Sequence, residues 1–296
     1  MIRSIIIALL LAAGLYTPVC GEEIDSRFPQ AREFLRTSGM TITTSADQAY
    51  GQKAILVMGE GVPKKGAVGG QKRLTALTAA KVVAQRRLAE ILEGVTIVSS
   101  TTIRDSQRQS ETIKTTVTGF VRGAQPVVQD WNAEEETALV VLQVGITGAR
   151  SVAAVMYEKI LADSTVAREL DTTPYSGAAA RPAAAFDGLI IDATGFNFRP
   201  ALINRIFAEN GDVLYDPAKI SQKVLVEQGC GEYSNSVDKA KAALGRRGVK
   251  APLIVKAAGV PTPSDLRVSS AVAADIFSAN QGSGFMADAR VAFVLK

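Results

Sequence analysis

Apolar and polar positions between Lys53 and Ile146 follow two rhythms. From about Gln71 to Leu92 the rhythm is helical. Leu77, Ala80, Ala84, Leu88, Ile91 and Val95 share one narrow face of the wheel, with Arg86, Glu90 and Glu93 opposite. This stripe suits a helix lying on a single layer, and its alanines allow close approach to a sheet. Gly94 follows the last periodic turn, where a left-handed C-cap is expected. A strand over Ala54–Met58 precedes the helix, separated from it by a Gly-rich loop. After the helix the period becomes two. In Glu111–Arg122, Ile113, Thr115, Val117, Gly119 and Val121 alternate with Lys114, Thr116, Thr118, Phe120 and Arg122. Thr137–Ile146 is apolar on both faces, as an inner strand covered on both sides would be. Val95–Thr102 is rich in Thr and Val, which suits a strand. The expected order is strand, helix, strand, strand, strand: one sheet with one face packed by the main helix.

The flanking segments complete an α/β (α+β) reading. Residues 22–52 form an N-terminal arm with one short helix, about Pro29–Thr37. Residues 53–170 form the first domain, ending in a second amphipathic helix, Arg150–Leu170. Residues 171–185 form a small-residue linker containing Ser176-Gly-Ala-Ala-Ala-Arg-Pro-Ala-Ala-Ala185. Residues 186–296 form a second, mixed α/β domain. Its elements are a strand at Gly188–Thr194, a hairpin turning at Asn210-Gly211, and a helix capped by Ser236 and closed at Gly245. A buried strand at Pro252–Ala257, a short helix at Ala271–Ser278 and a last strand at Phe285–Leu295 follow.

Composition narrows the chemistry. The 296 residues are 47% hydrophobic and 21% charged, with a net charge of +4. Those values are ordinary for a globular protein, and the mixed charges give no footprint for nucleic acid. There is no histidine, which removes the commonest general base and metal ligand. Two cysteines, one of them in the leader, cannot build a thiolate cage. No cofactor is implied.

Met1–Gly21 has the form of a secretory signal: Arg3, then the apolar run Ile5–Leu15, then small residues. Cleavage between Gly21 and Glu22 fits the pattern; lipidation of Cys20 is the competing reading, although Pro18 and Val19 make a poor lipobox. Gly59–Gly70 joins glycines to Lys64 and Lys65, with Lys72 and Arg73 following. It lacks the Gly-Lys-Ser/Thr of a P-loop. The alternatives are a plain loop ahead of a helix, or anion contact by Lys64, Lys65, Lys72 and Arg73 near the helix N-terminus. Asp187, Asp192, Asp212 and Asp216 lie near strand ends; they read as turn residues unless the fold gathers them. Ser99, Ser100 and Ser110 lack a histidine partner. Cys230 is either buried or paired between chains, and burial is favoured.

One stretch carries a family likeness. Ala79, Ala80, Ala84, Arg87, Leu88 and Ala89 precede Gly94-Val95; Val117-Thr-Gly119-Phe-Val121-Arg-Gly123-Ala124, Val127-Val128 and Ala138-Leu-Val140-Val-Leu142 follow. Over about Lys53–Gly148 this resembles the bacterial lipoprotein-20 (Lpp-type) domain, related to the flagellar accessory proteins P and T. The resemblance implies an envelope location and a structural role, with subunits assembling around flagellar or other surface machinery. It carries no enzymatic residues. The expectation is therefore a non-enzymatic exported protein of the periplasm, outer membrane or cell surface. It would act through self-assembly or contacts with other envelope proteins, and without nucleic acid. The alternative is a periplasmic binding module for an anionic glycan or lipid headgroup.

Overall fold

The computed structural model describes residues 26–177, 185–217 and 220–296. The signal segment, its cleavage point at Gly21 and Glu22, the alternative lipidation site Cys20 and residues 178–184 of the small-residue linker lie outside them.

The chain begins with α1 (Pro29–Ser38) and α2 (Ala46–Gly51), then β1 (Ala54–Gly61) and the long α3 (Gly70–Glu93). A tight hairpin follows, β2 (Thr96–Val98) and β3 (Thr101–Thr102), then α4 (Ile103–Gln109) and α5 (Glu111–Gly123). Next come β4 (Pro126–Asn132), β5 (Thr137–Gly145), α6 (Val152–Leu161) and α7 (Ser164–Glu169). Strands β1, β5 and β4 form an antiparallel sheet with β5 in the middle. Strand alternation sends Ile55, Val57, Val140 and Leu142 into the core beneath α3. Leu56, Met58, Leu139 and Val141 point the other way, against Phe28 and Ala31 at the start of α1. The sheet is thus covered on both faces, with β5 the inner strand its composition foretold. Asp130, 3% exposed on β4, caps α1 from across the sheet: its Oδ2 accepts from the Gln30 and Ala31 amides at 2.8 and 3.3 Å.

Helix α3 meets β1 backbone to backbone. Ala76, Ala80, Ala84, Leu88 and Leu92 form its fully buried ridge, spaced by four. Leu77 and Ile91, expected on the buried face, are half-buried. The reason is Gly59 and Gly61. A Cβ on Gly59 would stand 2.3 Å from the Ala80 carbonyl oxygen and 2.4 Å from the Ala84 amide nitrogen. A Cβ on Gly61 would stand 2.3 Å from the Ala80 nitrogen and 2.4 Å from the Ala76 oxygen. Only glycine fits there, so the alanine ridge turns toward β1. Gly94 is right-handed (φ −81°); its amide donates to the Ile91 oxygen and the Val95 amide to the Leu92 oxygen, so the helix closes without a left-handed cap.

Glu111–Arg122, expected as a strand, is α5. Ile113, Val117 and Val121 are spaced by four, a step that satisfies alternation by two and a helical stripe alike. Ser110 breaks the tie: its Oγ accepts the Ile113 amide, and Glu111 sits in the first turn. Burial of that stripe against α3 and α6 outweighs the modest helix propensity of the threonines. Arg150–Leu170 is two helices, because Asp163 caps a new start at α7.

The C-terminal half comprises β6 (Gly188–Asp192), β7 (Arg205–Phe207), β8 (Val213–Tyr215), α8 (Gln222–Gln228) and β9 (Glu232–Ser234). It continues with α9 (Val237–Gly245), β10 (Pro252–Lys256), β11 (Gly259–Thr262), β12 (Asp265–Arg267), α10 (Ser270–Ser283) and β13 (Val291–Val294). A parallel sheet runs β10-β6-β13-β9 and a mixed sheet β11-β12-β7-β8. The Asn210-Gly211 turn joins β7 to β8, with Gly211 at φ +92°. Pro252–Lys256 is the sheet's edge, with Ile254 44% exposed, rather than a buried strand. Helix α9 runs through Gly245, and the left-handed turn falls at Gly248 (φ +84°).

The two halves share one core that runs from Ala49 to Phe293. The backbone carbonyls of Thr96 and Ile97 on β2 accept from the Leu202 and Ile203 amides at 2.9 and 2.8 Å. Glu232, 5% exposed, sits between Lys53 of one half and Arg247 of the other, at 2.7 and 2.8 Å. Burial pushes its carboxyl up. Bonding and charge from Lys53 and Arg247 together outweigh that and hold it below the ordinary glutamate value of 4.5.

Two predictions follow from this packing. Gly59→Ala or Gly61→Ala should lower the unfolding free energy by about 1–3 kcal/mol through overpacking. Gly119→Ala, in α5 with nothing within 4 Å of the new methyl, should raise it by about 0.5–1 kcal/mol. Urea titrations of the three variants check the opposite signs; a harmless Gly59→Ala would refute the close approach. For Glu232, the folded-state pKa is depressed, so its contribution is complete above the ordinary value and is lost as pH falls through the folded value. Glu232→Gln should cost about 3 kcal/mol at neutral pH and flatten the decline in stability below pH 4.5. Melts across that range measure it.

Candidate functional site

The β1–α3 connection carries the basic residues singled out from the sequence. Helix α3 starts after Gly69, without a side-chain cap and without an acidic residue in its first turn. The Lys64 amide donates to Thr75 Oγ1 at 3.1 Å, folding the loop back over the first turn. Lys72 is engaged by Glu136 from the β4–β5 turn. Lys64, Lys65 and Arg73 are exposed and have no acidic partner within 4 Å among the described residues. The fold thus separates the four cations into one that is neutralised and three that face solvent.

What sequence reasoning missed is the apolar surface beside them. Val62, Val68, Leu74 and Val82 are 64%, 68%, 66% and 59% exposed. Leu74, Thr78 and Val82 are spaced by four, so they form one outward ridge on the first half of α3. The signal was available: Leu74 and Val82 lie off the stripe that Ala80, Ala84 and Leu88 define.

The other candidates dissolve into structure. Asp187 accepts the Lys250 and Ala251 amides at 2.8 and 2.7 Å. Asp192 accepts from the Thr194 hydroxyl and amide at 2.7 and 3.0 Å. Asp212 closes the β7–β8 turn with Asn210, and Asp216 is buried after β8. The carboxylates belong to separate turns, and among the described residues no group of His, Cys, Asp and Glu could hold a metal ion. Ser99 occupies the β2–β3 turn at φ +56°. It joins a buried pair that the sequence did not reveal. Arg205 grips Asp265 with two bonds of 3.0 and 2.7 Å and donates to Ser99 Oγ at 2.7 Å. Ser110 is the α5 cap, and Ser100 is exposed.

Cys230 is 2% exposed and free, in agreement with the favoured reading. It lies 3.2 Å from the Tyr233 hydroxyl. Tyr233 donates to Asn204 Oδ1, and Tyr157 donates to the Leu202 carbonyl at 2.6 Å. Burial pushes the thiol and both phenols up, so all three stay protonated at neutral pH. The cavity they border, between the halves, holds about 30 Å³, room for one or two waters. A buried protonated thiol beside satisfied hydroxyls is inert packing.

Comparison with known proteins alters the likeness read from the N-terminal half. A family model described as Treponema pallidum Tp0624, second domain, matches residues 188–296. The match begins with β6 and spans the parallel and mixed sheets of the C-terminal half. No curated protein matches the chain. The resemblance of Lys53–Gly148 to the lipoprotein-20 domain and the flagellar proteins is therefore corrected: the recognised family lies in the other half. The fold supplies a reason, because the Val117–Gly123 motif that carried the resemblance is helical in α5.

Proposed function

We propose that this is an exported envelope protein that acts by contact rather than by bond-making, self-assembling through the outward ridge of α3. The observation that carries this reading is the exposure of Val62, Val68, Leu74 and Val82 on one loop and helix. Contiguous exposed apolar surface rimmed by polar residues marks interaction sites. A second copy is the partner that fits. The ridge continues by fours from Leu74 and Val82 to Arg86 and Glu90, which pair with each other at 3.3 Å, while Glu93 is held by Arg104 at 3.0 Å; its apolar part therefore lies between the basic loop and a neutralised end. Two such ridges crossing antiparallel about a two-fold axis would cover Leu74 and Val82 of each copy with those of the other and keep the two basic loops apart. The leader-like Met1–Gly21 supports export. Among the described residues no helix is long and apolar enough to cross a membrane.

Leu74→Glu/Val82→Glu should abolish self-association while leaving the thermal midpoint unchanged, because both side chains are exposed. Light scattering over a concentration series reads this. A wild-type protein that stays monomeric at high concentration removes the proposal.

A second reading is favoured by the three unpaired cations: contact with an anionic glycan or lipid headgroup by Lys64, Lys65 and Arg73. Lys64→Glu/Lys65→Glu should then lose sedimentation with anionic vesicles, and salt should weaken wild-type binding. Salt-independent binding, or binding that survives the double change, would exclude this reading.

A further inference from the structure

A cleft of about 540 Å³ opens between α2 and α9, beside the edge strand β9. That is the size of a small-ligand site. It runs along the whole of β9, lined by Glu232, Tyr233 and Ser234, and reaches Asn235 and Leu295 just past the ends of β9 and β13.

The walls have a definite electrostatic character. Lys239 in the first turn of α9 and Arg246 at its C-cap stand two turns apart on one face, about 10 Å along the axis. Ala242 and Ala243 lie between them as a low floor. Opposite are Asp47 and Gly51 of α2, then Lys53. The negative groups in the lining are Asp47 and Glu232, and Glu232 is already bound by Lys53 and Arg247. Lys239 reaches only the neutral Asn235 Oδ1, at 2.9 Å. Arg246 has no acidic partner within 4 Å among the described residues. Lys241, on another face of the same helix, has Asp238 at 3.9 Å. Of the cations lining the cleft, Lys53 is held by Glu232, whereas Lys239 and Arg246 have no acidic partner within 4 Å among the described residues; Asp47 lies in the opposite wall.

We infer that this cleft binds a small polyanion, a ligand with two or more phosphate or carboxylate groups spanning Lys239 and Arg246 over the alanine floor. One wall comes from each half of the chain, so the ligand also ties α2 to α9. This site is separate from the α3 ridge and does not depend on the function proposed for it.

The test is calorimetric titration of the full chain at low salt with tripolyphosphate and, in a second arm, citrate. The arm that binds more tightly identifies phosphate or carboxylate as the preferred group. The expected result is saturable one-to-one binding. Lys239→Glu/Arg246→Glu should weaken it by at least about tenfold, as loss of about 1.4 kcal/mol would. Ala242→Phe, which fills the floor without changing charge, should weaken it comparably. Lys241→Glu and Lys64→Glu/Lys65→Glu should leave it intact. Circular dichroism confirms that each variant is folded. Absence of binding by the folded wild type in both arms overturns the inference. So does Lys241→Glu weakening the affinity as much as the cleft variants, which would signal diffuse attraction. Retention of full affinity by Ala242→Phe also rules out the cleft.

Discussion

The absence of side chains at Gly59 and Gly61 governs the N-terminal half. Two adjacent same-face positions of β1 present bare backbone, and the alanine ridge of α3 settles onto it closely enough to exclude a methyl group. Everything else in that half is arranged around the contact. Because α3 turns Ala76, Ala80 and Ala84 inward, Leu74 and Val82 must turn outward. Because β1 is pinned by the helix on one face, its other face is left for Leu56 and Met58 to bury against Phe28 and Ala31. The surface from which function is argued is therefore a geometric consequence of two glycines.

The joint between the halves uses different physics. It pairs apolar burial with buried charges, those of Arg205, Asp265, Glu232 and Arg247, which half-exposed Lys53 joins from the other half. Arg205–Asp265 and Lys53–Glu232–Arg247 are the two such groups, beside a core that the halves share. Burying a charge is unfavourable unless its partners are held in place. Here they are: Arg205 is fixed by two bonds to Asp265 and a third to Ser99, and Arg247 also donates to the Ala289 and Gln228 carbonyls. A relative shift of the halves would separate Lys53 from Glu232 and Ser99 from Arg205, leaving buried charge with fewer partners. The arrangement thus favours one relative position over others.

Legibility in the sequence tracked the range of the interactions. The mixed α/β class, the inner strand β5, the Asn210-Gly211 hairpin and the Ser236 cap are written in local pattern and turn chemistry, and the structure has them. Glu111–Arg122 was ambiguous in principle, since a spacing of four is common to both periods; the cap at Ser110 held the answer. The rotation of α3 was hidden because it depends on glycines in another element. Arg205 and Asp265 are 60 residues apart and Lys53 and Glu232 are 179 apart, so no window along the chain could show those pairs. The exposed apolar ridge was readable, but a search for the buried face passes over what that face leaves outside.

These constraints decide how function is best sought. The hydroxyls, carboxylates and thiol that first invite a catalytic reading are each occupied: Ser99 by Arg205, Ser110 by a helix start, Asp187 and Asp192 by neighbouring backbone, Cys230 by burial beside Tyr233. A group already satisfied inside the fold must give up a structural bond before it can do chemistry, and a buried unsatisfied partner left behind is unfavourable by about 1–3 kcal/mol. By contrast, the cations at Lys64, Lys65, Arg73, Lys239 and Arg246 carry no acidic partner within 4 Å among the described residues, and the valines and leucine beside the first three lie open to water. Interaction free energy not spent within the fold is available for association, and it resides on the α3 surface and in the α2–α9 cleft. The proposed assembly ridge and the proposed polyanion cleft both draw on that distribution.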